Sequence, residues 1–521
     1  MSNLQNDIIL LEQLIKNGEN QRIDTLTASL IKNATLNSKE LIAIGALLMG
    51  HGDINTATQC FKRMLEFDDQ NYDARFGLAN CLYALGNHRE SIKIQSQLLR
   101  DFPNSLSLRR NYLLSMEYDS ASNDDDRLNN AIEWGQWITE LVGHITRPKL
   151  KILNNRKLKI GYVSADLCQH TVGLFVKDVI QAHHKERVEV YCYHSNTISD
   201  WVTQSLQATS DFRFVYHLSD SDLAAQIKRD EIDVLIDLSG HTRGSRLTVF
   251  ALRPAPVQVS WLGYFATTGL SSIDAVLLDA GHVTQDTSKY FVERIYQINP
   301  CRFLYKPVSW AKEYTISNLP AMKNGFITFG SFNSTSKLND NVIDVWSTIL
   351  NSVQNSKLVL KWRTFIDPLT VQFFKDKFIR NGVNPNNVEF QSASFHSDLF
   401  REYDKIDIAL DPFPFTGGLT SCEALWMGLP IVTLPQSRVV SRQTNAILRA
   451  IGLTETIADS QHDYIHKAID LASDYSRLNS IRQNLRPMML SSPLMNVDSF
   501  TRDLEDILVD IYSSIACAEN E

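Results

Sequence analysis

A 34-residue echo near the N-terminus constrains this chain more than any other feature of its sequence. Gly45, Leu48, Gly52, Ala57, Leu65 and Asp69 are followed, at the constant offset that separates Gly52 from Gly86, by Ala79, Leu82, Gly86, Ser91, Leu99 and Pro103. Self-similarity at this period means a two-helix unit that cannot bury its apolar face alone and must stack on neighbours. Small residues at 45/79 and 57/91 let paired helices approach, Gly52 and Gly86 fit the turn between them, and Pro103 stops the second helix.

The offset is the tetratricopeptide period, and ARFGLANCLYALGNHRESIKIQSQLLRDFPNS reads as one repeat. Upstream, Leu14, Gly18 and Ile31 keep the phase weakly. Downstream, Asp124 to Asp126 reads as a solvated loop interrupting a last helical segment at Ala131 to Leu141. Two clear repeats with degenerate caps are too few for a free solenoid, so the array is expected to pack on the body that follows.

From Leu158 the pattern changes to short β-branched runs separated by amphipathic helical stretches, the signature of parallel α/β units. LKIGYVSAD, VEVYCYHS, IDVLIDLSG, VQVSWLGY and AVLLDA read as five strands of one sheet; after a linker at 309–323, FITFGSF, KLVLKW, VEFQSA, IDIALD and IVTLP read as a second. Two similar halves joined near residue 320 place two carboxyl-edge crevices face to face, with the natural ligand position in the cleft between them. The terminal VDSFTRDLEDILVDIYSSIA reads as an amphipathic helix that packs across a domain.

Composition narrows the function. The 59 acidic side chains exceed the 51 basic ones, giving a net charge of −8. A pI near 5.9 argues against nucleic acid or an anionic membrane as the main partner. An anion site must therefore be local. Seven scattered cysteines without a CxxC pair read as reduced thiols. The N-terminus lacks the basic start and apolar run of a signal peptide, so a cytoplasmic protein without a membrane partner is expected.

Several residues could carry chemistry. In FGSFNSTSKLND a strand end leads into a polar loop holding Ser334 and Lys337; such a lysine is either solvated or meets a phosphate. In LDPFPFTGGLTSCEALWMGLPIVTLP, Gly417 and Gly418 permit close backbone approach, and Thr420 begins a helix with Glu423 three residues on. Thr420 and Glu423 fit a capping box, and they fit equally a diphosphate site at a helix N-terminus with Glu423 near a ribose. His170 follows the first strand and His241 the third of those read from sequence, which puts both at the cleft rim; imidazoles suit general-base work or polar contact with a substrate. Arg246 and Arg253 read as ion-pairing groups. Asp220 and Asp222 have carboxylate-pair spacing but fit a helix N-cap better. No His/Cys cluster calls for a metal.

Together, GYVSADLCQHT, DLSGHTRGSRLTVFALRPAPVQVSWLGYFATTGL, NGFITFGSFNSTSKL and the Gly-Gly-x-Thr segment resemble the protein O-GlcNAc transferases and their SPINDLY-type relatives, glycosyltransferase family 41. The resemblance runs from about residue 157 to the C-terminus. It implies an α/β chain with an all-α N-terminal part: tetratricopeptide repeats (1–150), then a GT-B fold of an acceptor-side Rossmann-like domain (151–320) and a nucleotide-sugar domain with C-terminal helices (321–521). It implies inverting, metal-independent transfer of GlcNAc from UDP-GlcNAc to Ser or Thr of proteins, with no cofactor beyond that co-substrate. His170 matches the histidine beside the reacting sugar, and Lys337 the lysine on the leaving diphosphate. Gly417, Gly418, Thr420 and Glu423 match the donor turn. Two departures stand out: the histidine many relatives place beside the nucleobase falls at Leu399, with His396 three residues earlier, and Leu419 replaces a Thr or His. NGFITFGSFN reads closer to SPINDLY-type relatives, some of which transfer fucose from GDP-fucose. A tetratricopeptide adaptor with a decayed catalytic half is the non-enzymatic alternative. The protein acceptor is expected to bind through the repeats and the cleft; the sequence sets no oligomeric state.

Overall fold

The computed structural model describes residues 3–32, 38–143, 145–153 and 156–518. Among the described residues the N-terminal part is eight helices: α1 (Asn3–Asn17), α2 (Asn20–Lys32), α3 (Ser38–His51), α4 (Ile54–Phe67), α5 (Tyr72–Ala84), α6 (His88–Asp101), α7 (Leu106–Tyr118) and α8 (Asp124–Val142). Gly52 and Gly86 turn the pairs at φ +121° and +76°, where an L side chain is strained. Phe61 occupies the space left by Gly45 and Gly77; a Cβ at residue 77 would come within 2.4 Å of its ring. Ser91 Oγ donates to the Ala79 carbonyl at 2.7 Å, which explains the small pair at 79 and 91. The burial of Ile31 falls outside the described side chains.

The acidic run is not a loop. Asp124 to Asp126 form the first turn of α8, where Asn123 accepts from the Asp125 amide at 2.7 Å and negative charge suits the helix dipole.

The first sheet has seven parallel strands, β1 (Leu158–Ser164), β2 (Val188–His194), β3 (Asp211–Phe214), β4 (Val234–Asp237), β5 (Val257–Ser260), β6 (Ala275–Leu278) and β7 (Arg294–Gln297), ordered β3-β2-β1-β4-β5-β6-β7. Its helices are α9 (Thr171–Ala182), α10 (Trp201–Gln207), α11 (Asp220–Arg229) and α12 (Leu247–Ala251). The second sheet is ordered β10-β9-β8-β11-β12, from β8 (Thr328–Ser331), β9 (Lys357–Lys361), β10 (Val388–Gln391), β11 (Ile408–Leu410) and β12 (Ile431–Val432). With it go α13 (Pro320–Asn324), α14 (Asp340–Ser352), α15 (Pro368–Arg380), α16 (His396–Tyr403), α17 (Leu419–Trp426), α18 (Gln443–Ile451), α19 (Gln461–Ser473) and α20 (Tyr475–Ser491).

The last helix, α21 (Val497–Ala518), departs from the expected domain division: it crosses back to pack on α9 and β5 of the first sheet. Buried Glu505 accepts from the His184 amide at 2.8 Å, and Tyr512 Oη donates to the Lys151 carbonyl at 2.9 Å. The apolar face of α21 thus closes the first domain rather than the second.

The repeats do pack on the body, and in two places. Asp367 accepts from the amides of Asn55 and Thr56 at the start of α4, at 2.8 and 3.2 Å, joining them to the second domain. On the first domain, Gly135 of α8 meets Gly269 so closely that a Cβ on residue 135 would sit 1.8 Å from the Gly269 carbonyl oxygen. Gly135→Ala is therefore expected to destabilise the protein by about 1–3 kcal/mol through overpacking, read as a lowered thermal midpoint.

Candidate active site in the interdomain cleft

Strand order reverses between β1 and β4 in the first sheet and between β8 and β11 in the second, so the crevices open beyond these strands. The loop after β1 ends at His170, the N-cap of α9, whose Nδ1 accepts from the Val172 amide at 3.3 Å and whose ring stays about half exposed. The loop after β8 delivers Asn333, Ser334 and Lys337; the loop after β11 delivers Gly417, Gly418 and the start of α17.

Lys337 closes a short turn of 3-10 helix capped by Ser334, which accepts from the Ser336 amide. Its ammonium donates to Asn333 Oδ1 at 3.0 Å and to the Thr416 carbonyl at 2.9 Å, and sits 4.8 Å from the centre of the Phe415 ring. An ammonium has three N–H donors, so one remains for a ligand. Burial pushes its pKa down to about 8, against the pull of Asp411. Asp411 itself is buried and pushed up; it accepts from the Gly417 amide at 2.7 Å and from Thr433 Oγ1 at 2.6 Å, fixing the glycine turn.

The capping box does not form. The N-cap of α17 is Gly418, with no side-chain cap, while Thr420 Oγ1 reaches Asn333 Oδ1 at 3.4 Å and Glu423 receives His396 Nε2 at 2.6 Å. The first amides of α17 are left for something else, beside a lysine, in a helix-end field that favours negative charge.

These elements surround a cavity of about 380 Å³. Gln169, His170, Thr171 and Leu174 supply the first-domain wall; His396, Leu399, Leu419, Thr420 and Glu423 supply the opposite one. A cavity of this size suits a nucleotide sugar or a ligand of similar bulk. Lys337 lies just behind it, linked through Asn333 to Thr420.

Comparison with known proteins gives the family. The model of glycosyl transferase family 41 matches residues 141–305 and 313–504, and a tetratricopeptide repeat model matches 48–110. The chain belongs to glycosyltransferase family 41. It is 34% identical over 409 residues, 77% of its length, to a probable UDP-N-acetylglucosamine–peptide N-acetylglucosaminyltransferase SPINDLY of Hordeum vulgare, of which it covers 43%. It is 30% identical over 67% of its length to the Arabidopsis thaliana protein of the same printed activity named SEC, of which it covers 36%. The chain thus spans less than half the length of these relatives. A solved mutant of the Thermobaculum terrenum O-GlcNAc transferase superposes with a TM-score of 0.88 at 30% identity, each chain fully covered.

Within the family 41 frame, one candidate is misplaced. His241 is 1% exposed: its Nε2 pairs with the Thr268 carbonyl at 2.9 Å and its ring meets Trp134 edge-on at 4.5 Å. Burial lowers its pKa to about 3, so it is a neutral side chain sealed beneath α8 and takes no part in the cleft. Arg246 and Arg253 pair with Asp220 and Asp274, as expected of structural ions, and the N-cap of α11 is Ser219 rather than either aspartate. His396 and Leu399 share one face of α16 at the cavity, and His396 Nδ1 is buried without a hydrogen-bond partner among the described residues.

Sequence reading missed Lys361, Trp362 and Arg363, which line the cavity beyond the carboxyl end of β9. The only signal was their position at a strand end in the second sheet. Among the described residues no group of three or more His, Cys, Asp or Glu side chains could hold a metal ion, and no helix is long and apolar enough to cross a membrane.

The depressed Lys337 pKa sets a pH dependence. The ammonium is charged below pH 8 and neutralises above it, so affinity for a nucleoside diphosphate is expected to fall as pH rises through about 8. Titration of UDP at a series of pH values checks this, with Lys337→Met lacking the transition.

Proposed function

We propose that this family 41 chain is an inverting, metal-independent protein O-glycosyltransferase that moves GlcNAc from UDP-GlcNAc to Ser or Thr hydroxyls. The observation that carries the reading is the uncapped start of α17 at one wall of a cavity, with the Lys337 ammonium just behind it and His170 on the opposite wall. In the reaction the acceptor oxygen bonds to the anomeric carbon as the bond to the diphosphate oxygen breaks. Lys337 and the α17 amides stabilise the charge that grows on the leaving group. The hydroxyl proton passes to a base on the acceptor side, where His170 orients or deprotonates the nucleophile. Glu423, held by His396, takes the ribose, and the helical repeats present the protein acceptor.

A second reading keeps the cleft and changes the donor to GDP-fucose. It is favoured by the closer match to SPINDLY relatives, 34% against 30% for SEC, and by the absence of a histidine at Leu399. Radiolabelled transfer to a mixture of Ser/Thr peptides, with UDP-GlcNAc or GDP-fucose supplied and chelator present, separates the two. Label from UDP-GlcNAc alone supports the first reading, label from GDP-fucose alone the second, and no label from either favours an adaptor.

A further inference from the structure

The helical repeats form the wall behind Lys337, and we propose that they position the reaction's charge-stabilising lysine as well as capturing the acceptor. His88 acts through the carbonyl of Ser336, and Tyr118 through the ring of Phe415. The inference rests on the reading of Lys337 as the diphosphate contact.

The contacts converge on the three residues around Lys337. His88, on the first turn of α6 and 3% exposed, places Nε2 2.6 Å from the Ser336 carbonyl. That oxygen can only accept, so the imidazole is the Nε2–H tautomer. Thr335 Oγ1 donates to the Ala84 carbonyl at the end of α5, at 2.7 Å. A Cβ on Gly86 would come within 2.6 Å of the Leu338 carbonyl oxygen, so the α5–α6 turn is pressed against the far side of the same loop. On the other flank, the Tyr118 ring at the end of α7 stacks on Phe415, with centres 4.2 Å apart and planes at 29°. Phe415 in turn lies beneath the Lys337 ammonium and meets Phe265 of the first domain edge-on at 5.4 Å. Tyr83 closes the group, touching both His88 and Tyr118.

A lysine has a long stem with many rotamers, and holding its charge at the breaking bond is worth rate only if the stem is fixed. Here the backbone before Lys337 is gripped from α5 and α6, and the surface under its ammonium is backed by α7. The repeats contribute only neutral groups to this wall, since burial keeps the His88 pKa down at about 4 and pushes Tyr83 and Tyr118 up. Asp411, from the end of β11, is the charged side chain that acts on Lys337. The wall therefore excludes water without competing for the ammonium.

The test uses the full chain with four substitutions. His88→Leu removes the donor to Ser336 while His88→Gln keeps one, and Tyr118→Leu removes the stacked ring while Tyr118→Phe keeps it. Release of UDP from UDP-GlcNAc by water, with no acceptor present, is expected to slow by about 10- to 100-fold in the leucine variants through misplacement of Lys337. The Gln and Phe variants should stay near the wild-type rate. Leucine variants that hydrolyse donor at the wild-type rate, and are slowed only when a protein acceptor is supplied, would overturn the proposal. A second readout needs no nucleotide: the pH dependence of Lys337 acetylation by acetic anhydride, followed by peptide mass spectrometry. Its midpoint is expected near 8 in the wild type and displaced toward the ordinary lysine value of 10.5 in Tyr118→Leu, as water reaches the ammonium. An unmoved midpoint in both leucine variants contradicts the proposal whatever the donor. Failure of the wild type to bind either UDP or GDP would instead remove the donor-site reading and leave the labelling result standing.

Discussion

Lys337→Ala is expected to reduce sugar transfer by about 100- to 1000-fold, the cost of deleting one preorganised charge-stabilising donor, while circular dichroism and the thermal midpoint stay close to wild type. The fold should survive because the ammonium's partners, Asn333 Oδ1 and the Thr416 carbonyl, retain other contacts: Thr420 Oγ1 reaches the first and Gln443 Nε2 the second, at 3.4 and 3.2 Å. Binding should weaken less than turnover, since the amides of α17 remain and the lysine matters most when the diphosphate carries its full leaving charge. A kcat that falls while KM for donor changes little is the signature to look for. Full activity in this variant would sink the assignment of the leaving-group site.

Arg438→Ala is expected to be strongly destabilising. Its guanidinium, 8% exposed, is thrust from the loop after β12 into the end of α7. There it donates to the carbonyls of Met116 and Asp119 at 3.2 and 2.7 Å, to that of Ser122, and to Asp124 Oδ1 at 3.0 Å. Asp124 is shared with Arg127, which also holds buried Glu117. Removing one partner from such a network leaves buried carbonyls and a carboxylate partly uncompensated, at a cost of about 3–5 kcal/mol. The loss should appear as separation of the helical repeats from the catalytic body: an early unfolding transition by calorimetry, and protease cleavage near residues 119–124, absent from wild type. A single unshifted transition would show that the ion network carries no load between the two parts.

How far the sequence spoke follows from where apolar patterning was strong. All ten strands read from the sequence exist, most of them as buried apolar runs on sheets flanked by helices, with the partly exposed edge strand β10 as the weakest of the set. β3 (DFRF) and β7 (RIYQ) escaped notice because they are edge strands, partly exposed and without an apolar run. The repeat period revealed two helix pairs where the described residues form four, since the positions held by small residues at 45/79 and 57/91 are Leu11 and Ile23 in α1 and α2 and Leu113 and Asp125 in α7 and α8. The acidic run at Asp124 reads as a solvated loop because Asp125 and Asp126 are indeed exposed, whereas Asp124 pairs with Arg127 one turn on and with Arg438 from the far end of the chain, a partner no local pattern shows.

The site was legible to a similar depth. Strand ends placed His170, Lys337 and the glycine turn on one cleft, but position at a strand end could not tell the exposed rim of β1 from the sealed end of β4. His241 was misread for that reason. The capping box was a sound local inference that tertiary structure overrode: Glu423 turns to His396 and Thr420 to Asn333, which frees the helix end. No local pattern could have shown that the last helix returns to the first domain, or that α5 and α6 touch the loop of Lys337 and α7 the ring beneath its ammonium.

The most direct test of the central claim, that the cleft binds a nucleoside diphosphate through Lys337 and the start of α17, is calorimetric titration of the purified chain with UDP and GDP in the presence of EDTA, repeated on Lys337→Ala. The account predicts one site per chain, preference for UDP, and affinity that drops in the variant. Saturable binding unaffected by the substitution, or no binding of either nucleotide, would contradict it.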